Sequence, residues 1–360
     1  MSALAPASPR ATEDDAGLAG LESRGAVRRG SWRLVWLLVV LAVLVCVVVA
    51  SIAIGSRPIP VGTVLDALVD PSRTNDDHMV VRSLRVPRTI AGLLVGVALG
   101  LAGAVMQGVT RNPLADPGLL GVSAGASFAV VFGISVLGVG SALGYVWFAF
   151  AGAAVASVVV YTLGAIGRGG ATPVKLALAG AAVTSFLLSL TTAMLLVDQS
   201  TLDEYRFWAV GSVAGRDQEL IAQLGPFIVV GAVMALAAGP VLNSLALGDD
   251  VARSLGSRVG LARAFAATSV VLLVGAATAM AGPIGFVGLT IPHVARAITG
   301  PDYRWVLAYS TALAPILLLG SDVIGRVVAR PGELQVGIVT AIVGAPFFVM
   351  LVRRRRLAEL

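Results

Sequence analysis

An uncharged apolar run bounded by charged and turn-forming residues recurs along the whole chain, and this pattern leaves few folds open. The clearest run extends from Ile90 to Val105. It follows Arg82-Ser-Leu-Arg-Val-Pro-Arg88 and precedes Gln107-Gly-Val-Thr-Arg-Asn-Pro-Leu-Ala-Asp-Pro-Gly118. With its flanks, the run reaches the roughly 20 apolar residues that are needed to cross about 30 Å of hydrocarbon. The repetition of this pattern predicts a protein that crosses the membrane many times.

The composition of the chain supports a lipid environment. Hydrophobic residues make up 57% of the chain and charged residues 13%, with a mean hydropathy of +0.90. Soluble domains contain about 25% charged residues, and a soluble fold could not hide this much apolar surface. The 42 glycines fit close helix packing in a membrane and, equally, codon bias. The net charge of +6 comes from scattered arginines, which argues against nucleic-acid binding.

Ten apolar segments predict an all-α polytopic fold with about ten transmembrane helices in the lipid bilayer. Residues 1–32 are rich in Ala, Gly, Ser and Arg without an apolar period, so we expect a disordered cytoplasmic tail. The short segment near 285–298 contains Pro292, which predicts a kinked or partly spanning helix. The predicted spans lie near residues 34–54, 89–109, 118–138, 142–166, 174–197, 220–240, 261–281, 285–298, 305–321 and 335–352.

The distribution of basic residues predicts the orientation of the chain. If both termini face the cytoplasm, the inner segments hold 17 of the lysines and arginines and the outer segments hold 9. This excess agrees with the positive-inside rule. The outer loops nevertheless carry an unusual number of arginines, and five of them lie between Arg57 and Arg88. A basic outer face therefore needs an explanation other than topology.

A faint internal repeat indicates an inverted duplication. Gly118-Leu-Leu-Gly121 opens the third predicted span, and Gly285-Phe-Val-Gly288 opens the eighth. Each follows a stretch of small residues that contains a methionine, Gly103-Ala-Val-Met106 or Ala277-Thr-Ala-Met280. The preceding spans run in opposite directions, as in the inverted repeats from which many transporters are built.

The sequence contains no recognisable catalytic set. His-Glu-x-x-His and Gly-x-Ser-x-Gly are absent, and His78 lies far from His293, which argues against a metal site. Lys175 is the only lysine and does not lie in a P-loop, so any ATPase must be another chain. The span centres lack ionisable residues, which argues against an ion-coupled carrier. Asp198 and Asp322 are expected at span ends, within reach of water.

The segment 243–256 joins the sixth and seventh spans and predicts a short amphipathic helix on the cytoplasmic side. Asp249 and Asp250 lie at its expected start, where carboxylates complement the helix dipole. Arg253 is spaced to pair with either aspartate, and Gly256 is placed to end the helix. Leu247, Val251 and Leu255 would form an apolar stripe. The stripe could dock into another protein or lie against the membrane or the helical bundle, and the residues alone do not decide between these.

Eight motifs in order resemble the FecCD family of ABC-importer permeases, and the resemblance extends from about residue 34 to 352. Any one of them is weak, whereas the ordered set is specific. One motif departs from the family, because Gln335 stands where Gly-Glu-Leu-Pro has proline. The motifs are Leu84-Arg-Val-Pro-Arg88, Gly103-Ala-Val-Met-Gln107, Asn112-Pro-Leu-Ala-Asp-Pro-Gly-Leu-Leu-Gly-Val-Ser123, Trp208-Ala-Val-Gly-Ser212, Leu247-Gly-Asp-Asp-Val-Ala-Arg-Ser-Leu-Gly256, Gly282-Pro-Ile-Gly-Phe-Val-Gly-Leu289, Pro292-His-Val-Ala-Arg296, and Gly332-Glu-Leu-Gln-Val-Gly337 with Gly344-Ala-Pro-Phe347.

The resemblance implies a type II ABC importer fold, with residues 33–356 as the transmembrane permease domain. It implies a second permease subunit, identical or paralogous, two ATP-binding cassette ATPase subunits inside, and a substrate-binding protein outside. ATP and magnesium would be bound by the ATPase, and this chain would bind no cofactor and catalyse no reaction. It would lie in the cytoplasmic (inner) membrane. Ferric siderophores are the expected substrate, with haem or cobalamin as alternatives and an ion-coupled secondary carrier as the less favoured mechanism.

The resemblance also implies roles for individual residues. Arg85, Arg88 and Arg326 match arginines that dock the substrate-binding protein. The region around Trp208, Gly211 and Ser212 resembles a short helix that helps to gate the transport path. The segment 243–256 looks like the coupling helix that sits in a cleft of the ATPase. Its matching residues are Leu247, Gly248, Asp249, Asp250, Ala252, Arg253, Leu255 and Gly256.

Overall fold

The apolar segments form helices in a computed structural model that describes residues 13–72, 74–167 and 172–353. Fifteen α-helices lie within these residues. A π-helical turn, Val80–Arg85, joins α3 to α4, and a 3₁₀ turn, Pro117–Leu120, precedes α5. The helices are α1 (Glu13–Ala53), α2 (Val61–Val69), α3 (Asp76–Met79), α4 (Val86–Thr110), α5 (Val122–Ser135), α6 (Ala142–Ala165), α7 (Pro173–Val197), α8 (Gln199–Ala209), α9 (Gln218–Ala237), α10 (Gly239–Ala246), α11 (Asp249–Ser254), α12 (Val259–Ala281), α13 (Val287–Thr299), α14 (Tyr303–Val328) and α15 (Val336–Arg353).

Each of the ten predicted spans coincides with a helix. Seven helical segments in the described part of the chain are long and apolar enough to cross a membrane. Helices α5 and α15 are apolar but shorter, and α13 has only 13 residues. At 1.5 Å per residue, α13 is about 20 Å long, which is less than the hydrocarbon thickness. The chain is an all-helical polytopic membrane protein, and the expectation of a partial span around Pro292 agrees with the length of α13.

Helix α4 forms the centre of the bundle and packs against α9, α12, α13 and α14. Small residues allow these helices to approach closely. A Cβ atom at Gly96 would lie 2.6 Å from the Cα of Pro315 on α14. A Cβ atom at Gly103 would lie 1.9 Å from the carbonyl oxygen of Gly288 on α13. Glycine at these two positions therefore sets the distance between α4 and its neighbours.

The two segments that suggested an internal repeat occupy corresponding places in the fold. The long helices α4 and α12 are each followed by a segment that is rich in Gly and Pro and contains no α-helix, and then by a short helix, α5 or α13. Gly121 (φ +71°) and Phe286 (φ +67°) both take left-handed backbone conformations directly before these helices. Gly121 does so at no steric cost, whereas Phe286 is an unusual residue for this region.

Helix α1 begins at Glu13, inside the segment for which a disordered tail was predicted. Residues 1–12 lie outside the described part of the chain. Near the other terminus, α15 begins immediately after Gln335, whose carbonyl oxygen accepts hydrogen bonds from the backbone N–H groups of Ile338 (3.1 Å) and Val339 (3.4 Å). The helix therefore starts normally without the proline that is usual in the family motif.

Candidate functional site

A buried cluster of charged side chains lies where α1 ends and α4 begins, at the end of the bundle predicted to face outward. Only 1% of the Asp322 side chain, on α14, is exposed. Arg88 on α4 donates through Nη2 to its Oδ1 atom at 2.7 Å. The Nη2 atom of Arg326 lies 2.9 Å from its Oδ2 atom. Because one buried carboxylate faces two guanidinium groups, it stabilises both charges and joins α4 to α14.

Carbonyl groups at the end of α1 accept hydrogen bonds from the same set of arginines. Arg85 donates through Nη1 to the carbonyl oxygen of Ala53, the last residue of α1, at 2.6 Å, and through Nη2 to that of Arg57, in the segment after α1, at 2.6 Å. Arg326 donates through Nη1 to the carbonyl oxygen of Ser51 at 2.9 Å. The last carbonyls of a helix have no partner within the helix, so these arginines cap α1.

Glu333 lies in the loop between α14 and α15 and borders a small cavity beside the arginines. Its carboxylate accepts hydrogen bonds from Arg88 at 2.6 Å and from Ser56 at 2.8 Å. Partial burial raises the pKa of Glu333, but the hydrogen bond and charge of Arg88 outweigh it, so this pKa lies below its ordinary value. The cavity of about 140 Å³ is lined by Gly55, Ser56, Arg57, Val80, Leu84, Arg85, Arg88, Gly215, Arg326 and Glu333.

The three arginines predicted to dock another protein are therefore buried. Arg85, Arg88 and Arg326 have relative exposures of 5%, 9% and 1%. Their guanidinium groups contact carboxylates and carbonyls of their own chain, and their role in docking stays a prediction. We name Arg85, Arg88, Asp322, Arg326 and Glu333 the outer cluster. The sequence motifs did not identify Asp322 as a partner, although an acidic residue four positions before Arg326 on one helix could have suggested it.

The two aspartates expected at water-accessible span ends differ from each other. Asp198 follows α7 and caps α8, accepting hydrogen bonds from the hydroxyl groups of Ser200 and Thr201, each at 2.6 Å. These hydroxyl groups, Ser200 first, lower the pKa of Asp198 to about 2. The expectation for Asp322 was wrong because α14 continues to Val328, which places Asp322 inside the helix and against α4.

A second charged cluster lies at the opposite end of α4. The Oδ1 atom of Asp249, the first residue of α11, accepts hydrogen bonds from two arginines of other segments. Arg111, directly after α4, donates through Nη2 at 2.9 Å. Arg263, in the second turn of α12, donates through Nη2 at 2.8 Å. We name Arg111, Asp249 and Arg263 the inner cluster; the sequence predicted only the local partner of Asp249, Arg253, which is more distant at 4.0 Å.

The predicted amphipathic helix of segment 243–256 is divided into two helices. Helix α10 ends at Ala246 and α11 begins at Asp249, because Gly248 between them has a φ of +105°. Gly256 also has a positive φ, +82°, which ends the segment as expected. Arg253 pairs with Asp250 at 2.7 Å, and Ala252 is the buried residue of α11.

The apolar stripe of this segment is exposed. Leu247, Val251 and Leu255 have relative exposures of 63%, 44% and 62%. Aliphatic side chains on the surface of a charged helix gain free energy when a partner or the membrane covers them. The stripe does not pack against the bundle, which removes one of the alternatives that the sequence left open.

The predicted gate region lies where three segments meet. Trp208, near the end of α8, is buried, and Gly211 has a φ of +78°. The backbone N–H of Ser212 donates to the carbonyl oxygen of Ala281, the last residue of α12, at 2.7 Å. The backbone N–H of Gly337, in the first turn of α15, donates to the carbonyl oxygen of Gly211 at 3.1 Å. A movement of α12 or α15 would therefore reach this region directly.

Two sequence motifs that lie far apart along the chain meet inside the bundle. Gln107 on α4 donates through Nε2 to the carbonyl oxygens of Gly288 at 3.4 Å and Leu289 at 3.3 Å. Arg296 on α13 donates to the Oε1 atom of Gln107. The Gln107 amide therefore satisfies backbone and side-chain groups of α13 in an apolar environment. The described residues hold no group of three or more His, Cys, Asp or Glu side chains that could bind a metal ion.

Comparisons with known proteins agree with this architecture. A model of the FecCD transport family matches residues 40–354. The chain is 46% identical over 316 residues to the ferric enterobactin transport system permease protein FepD of Escherichia coli strain K12, covering 88% of this chain and 94% of FepD. It is 40% identical over 333 residues to the Fe(3+)-citrate import system permease protein YfmD of Bacillus subtilis strain 168, covering 92% and 98%.

A solved structure shows the same fold. It is an inward-facing conformation of a transporter assigned to the metal-chelate type of ABC transporter. The two structures superpose with a TM-score of 0.77 at 26% sequence identity, covering 88% of this chain and 98% of the other.

Proposed function

Because the chain belongs to the FecCD transport family and is a permease subunit of an ABC importer, we propose that it moves ferric siderophores inward across the cytoplasmic membrane. The observation that carries the proposal is the 46% identity to the ferric enterobactin permease over 94% of that protein. Haem and cobalamin are the alternative substrates. The second similar permease is named for iron citrate, another ferric chelate, which favours iron over these alternatives.

The exposed stripe of Leu247, Val251 and Leu255 supports docking of an ATP-binding cassette ATPase on α11. Two copies of the ATPase would serve two permease subunits, identical or paralogous, and would bind ATP and magnesium. Burying a leucine side chain in an interface contributes about 1.5–3 kcal/mol. Leu255→Asp should therefore reduce co-purification of the ATPase about tenfold or more.

A matched variant controls for the general effect of a new charge. Leu84, in the π-helical turn before α4, is similarly exposed at 57% but lies at the opposite end of the bundle. Leu84→Asp should leave ATPase co-purification unchanged. Equal loss in both variants would mean that the charge disturbs the permease rather than an interface on α11.

The opposite end of the bundle is the proposed docking face for the substrate-binding protein. Arg82 and Arg330 are exposed there, and Arg330 donates a hydrogen bond to the carbonyl oxygen of Gly55, which lines the cavity beside the outer cluster. Buried Arg85, Arg88 and Arg326 would shape this face, and a rearrangement on docking would be needed before they could meet carboxylates of the partner. Charge-assisted contacts of this kind would make association sensitive to salt.

Transport would proceed by alternating access. ATP binding and hydrolysis in the partner would move α11, and the bundle would open its path to one side and then to the other. The region around Trp208, Gly211 and Ser212 is the proposed gate, because its backbone is hydrogen-bonded to the ends of α12 and α15. The absence of a P-loop from the sequence agrees with a separate ATPase.

The proposal is tested by uptake into proteoliposomes that contain the permease, its ATPase and its binding protein. Radiolabelled ferric enterobactin, ferric citrate, haem and cobalamin are compared with ATP and with a non-hydrolysable analogue. We expect uptake of a ferric chelate that requires ATP hydrolysis. Uptake of haem or cobalamin alone would reject a ferric siderophore as the substrate. Uptake driven by an ion gradient without ATP would reject ATP-driven import as the mechanism.

A further inference from the structure

Asp249 is the one carboxylate through which the described part of α11 reaches both α4 and α12. We propose that Asp249 is a positioning residue that fastens α11 to the inner ends of these two helices, so that a movement of α11 is passed to both. The inference deepens the proposed function, since it rests on α11 receiving the motion of an ATPase. It assigns the transmission step to one side chain rather than to the segment as a whole.

Apart from Asp249, α11 makes few contacts with the helical bundle. The helix has six residues, and Ala252 is its buried one. Gly248 and Gly256 flank it with positive φ angles of +105° and +82°. Glycine at both ends gives the segment freedom to rotate relative to α10 and α12. A charge-assisted contact at Asp249 is therefore the strong directional link between α11 and the long helices.

The link reaches α4 through Arg111. Arg111 follows the last residue of α4 and takes a left-handed conformation with a φ of +50°, so its side chain leaves the helix at a fixed angle. Its Nη2 atom lies 2.9 Å from the Oδ1 atom of Asp249. Helix α4 is the central helix of the bundle, and its other end is held in the outer cluster through Arg88. A displacement of Asp249 would therefore act on the helix that connects both faces.

The link reaches the proposed gate through α12. Arg263, whose Nη2 atom lies 2.8 Å from the same oxygen of Asp249, is near the start of α12. Ala281, at the end of α12, accepts the backbone hydrogen bond of Ser212 at 2.7 Å. One regular helix thus connects Asp249 with the region around Trp208.

The neighbouring aspartate provides a matched comparison. Asp250 is one residue further along α11, its side chain is 98% exposed, and it pairs with Arg253 within the same helix. Asp250→Asn and Asp249→Asn each remove one negative charge from the surface that would face the ATPase. Only Asp249→Asn removes the contact with α4 and α12. The difference between the two variants therefore isolates the link.

The experiment measures ATP hydrolysis and substrate uptake together in the reconstituted complete importer. Assembly with the ATPase and ATP hydrolysis are measured in both variants, so that uptake is expressed per ATP hydrolysed. The number of substrate molecules taken up per ATP should fall about tenfold further in Asp249→Asn than in Asp250→Asn, within the range of typical coupling effects. Asp249→Glu, which keeps the charge, should restore most of this ratio. A purely structural defect would lower hydrolysis, assembly and uptake in parallel.

Arg111→Gln tests the same link from outside α11 and remains informative if Asp249→Asn does not assemble. It should also lower uptake per ATP, and combining it with Asp249→Asn should add little, since both remove one contact. Equal uptake per ATP in Asp249→Asn and Asp250→Asn would overturn the inference. Failure of the proposed function looks different, because the unmodified importer would then show no ATP-dependent uptake at all.

Discussion

Buried charged residues contribute strongly to the stability of this fold. Asp322 is almost fully buried and is shared by Arg88 and Arg326. Removing one member of a buried ionic group leaves the other charges without compensation, which costs about 3–5 kcal/mol. We therefore expect Asp322→Asn to lower the free energy of unfolding by this amount, measured by denaturant titration in detergent.

The control for Asp322→Asn is a carboxylate in an exposed ion pair. Asp203 lies 3.2 Å from Arg206, and the side chains of the two are 51% and 58% exposed. Solvent and salt screen such pairs, so Asp203→Asn should cost less than about 1 kcal/mol. Similar losses in the two variants would show that Arg88 and Arg326 find other partners when the carboxylate is absent.

The pH dependence of the outer cluster should follow Glu333. Its pKa lies below the ordinary value, so its contact with Arg88 stabilises the fold above that value and is lost as the pH falls through the lowered pKa. The stability difference between the unmodified chain and Glu333→Gln, about 0.5–1 kcal/mol for a partly exposed pair, should be constant from roughly pH 8 to 6. It should start to decrease as the pH falls below the ordinary glutamate pKa, about 4.3, and vanish only below the lowered pKa of Glu333. If the stability difference between the unmodified chain and Glu333→Gln grew on acidification, the pKa of Glu333 would not be lowered in the folded protein.

At the scale of helices, close approach depends on glycine. A Cβ atom at Gly103 would lie 1.9 Å from a backbone oxygen of α13, and backbone cannot move aside as a flexible side chain can. Gly103→Ala should separate α4 from α13 and destabilise the protein by about 1–3 kcal/mol or more. Thermal unfolding in detergent, with the yield of folded protein, measures this.

Gly320, inside α14, is the matched control. A Cβ atom at Gly320 would meet no atom within 4 Å. Alanine is favoured over glycine in a helix, so Gly320→Ala should be neutral or stabilise by about 0.5–1 kcal/mol. If Gly103→Ala destabilises the protein and Gly320→Ala does not, the loss at Gly103 comes from helix packing and not from helix propensity. A stabilising Gly103→Ala would mean that α4 and α13 do not pack closely in the membrane.

Helices could be predicted from the sequence because their signals are local. All ten apolar spans coincide with helices, and the ends of α11 follow from Gly248 and Gly256. The predicted helix start at Asp249 agrees with α11, whereas α10 in the first part of segment 243–256 was not predicted as a separate helix, because Gly248 reads equally well as a helix residue or a break. The burial of the outer cluster could not be predicted, since Arg88 and Asp322 are 234 positions apart. The same applies to Arg111 and Asp249, 138 positions apart.

At the scale of the whole molecule, α4 connects two charged clusters on opposite faces. The outer cluster joins α1, α4 and α14, whereas the inner cluster joins α4, α11 and α12. If partner proteins dock on both faces, as proposed, a buried helix held by ion pairs at both ends would form a rigid connection between the two docking sites. Which face is cytoplasmic rests on the excess of arginines in the predicted inner segments.

Cysteine labelling tests this orientation, because the chain has one native cysteine, Cys46. In a Cys46→Ala background, Thr74→Cys places a thiol in the loop before α3, and Ser254→Cys places one at the end of α11. Both native side chains are exposed. With both termini in the cytoplasm, a membrane-impermeant maleimide should label Thr74→Cys in right-side-out vesicles and Ser254→Cys only in inverted ones. The reverse result would place α11 outside, where no cytoplasmic ATPase could reach Leu255, and would reject the docking proposal together with the topology.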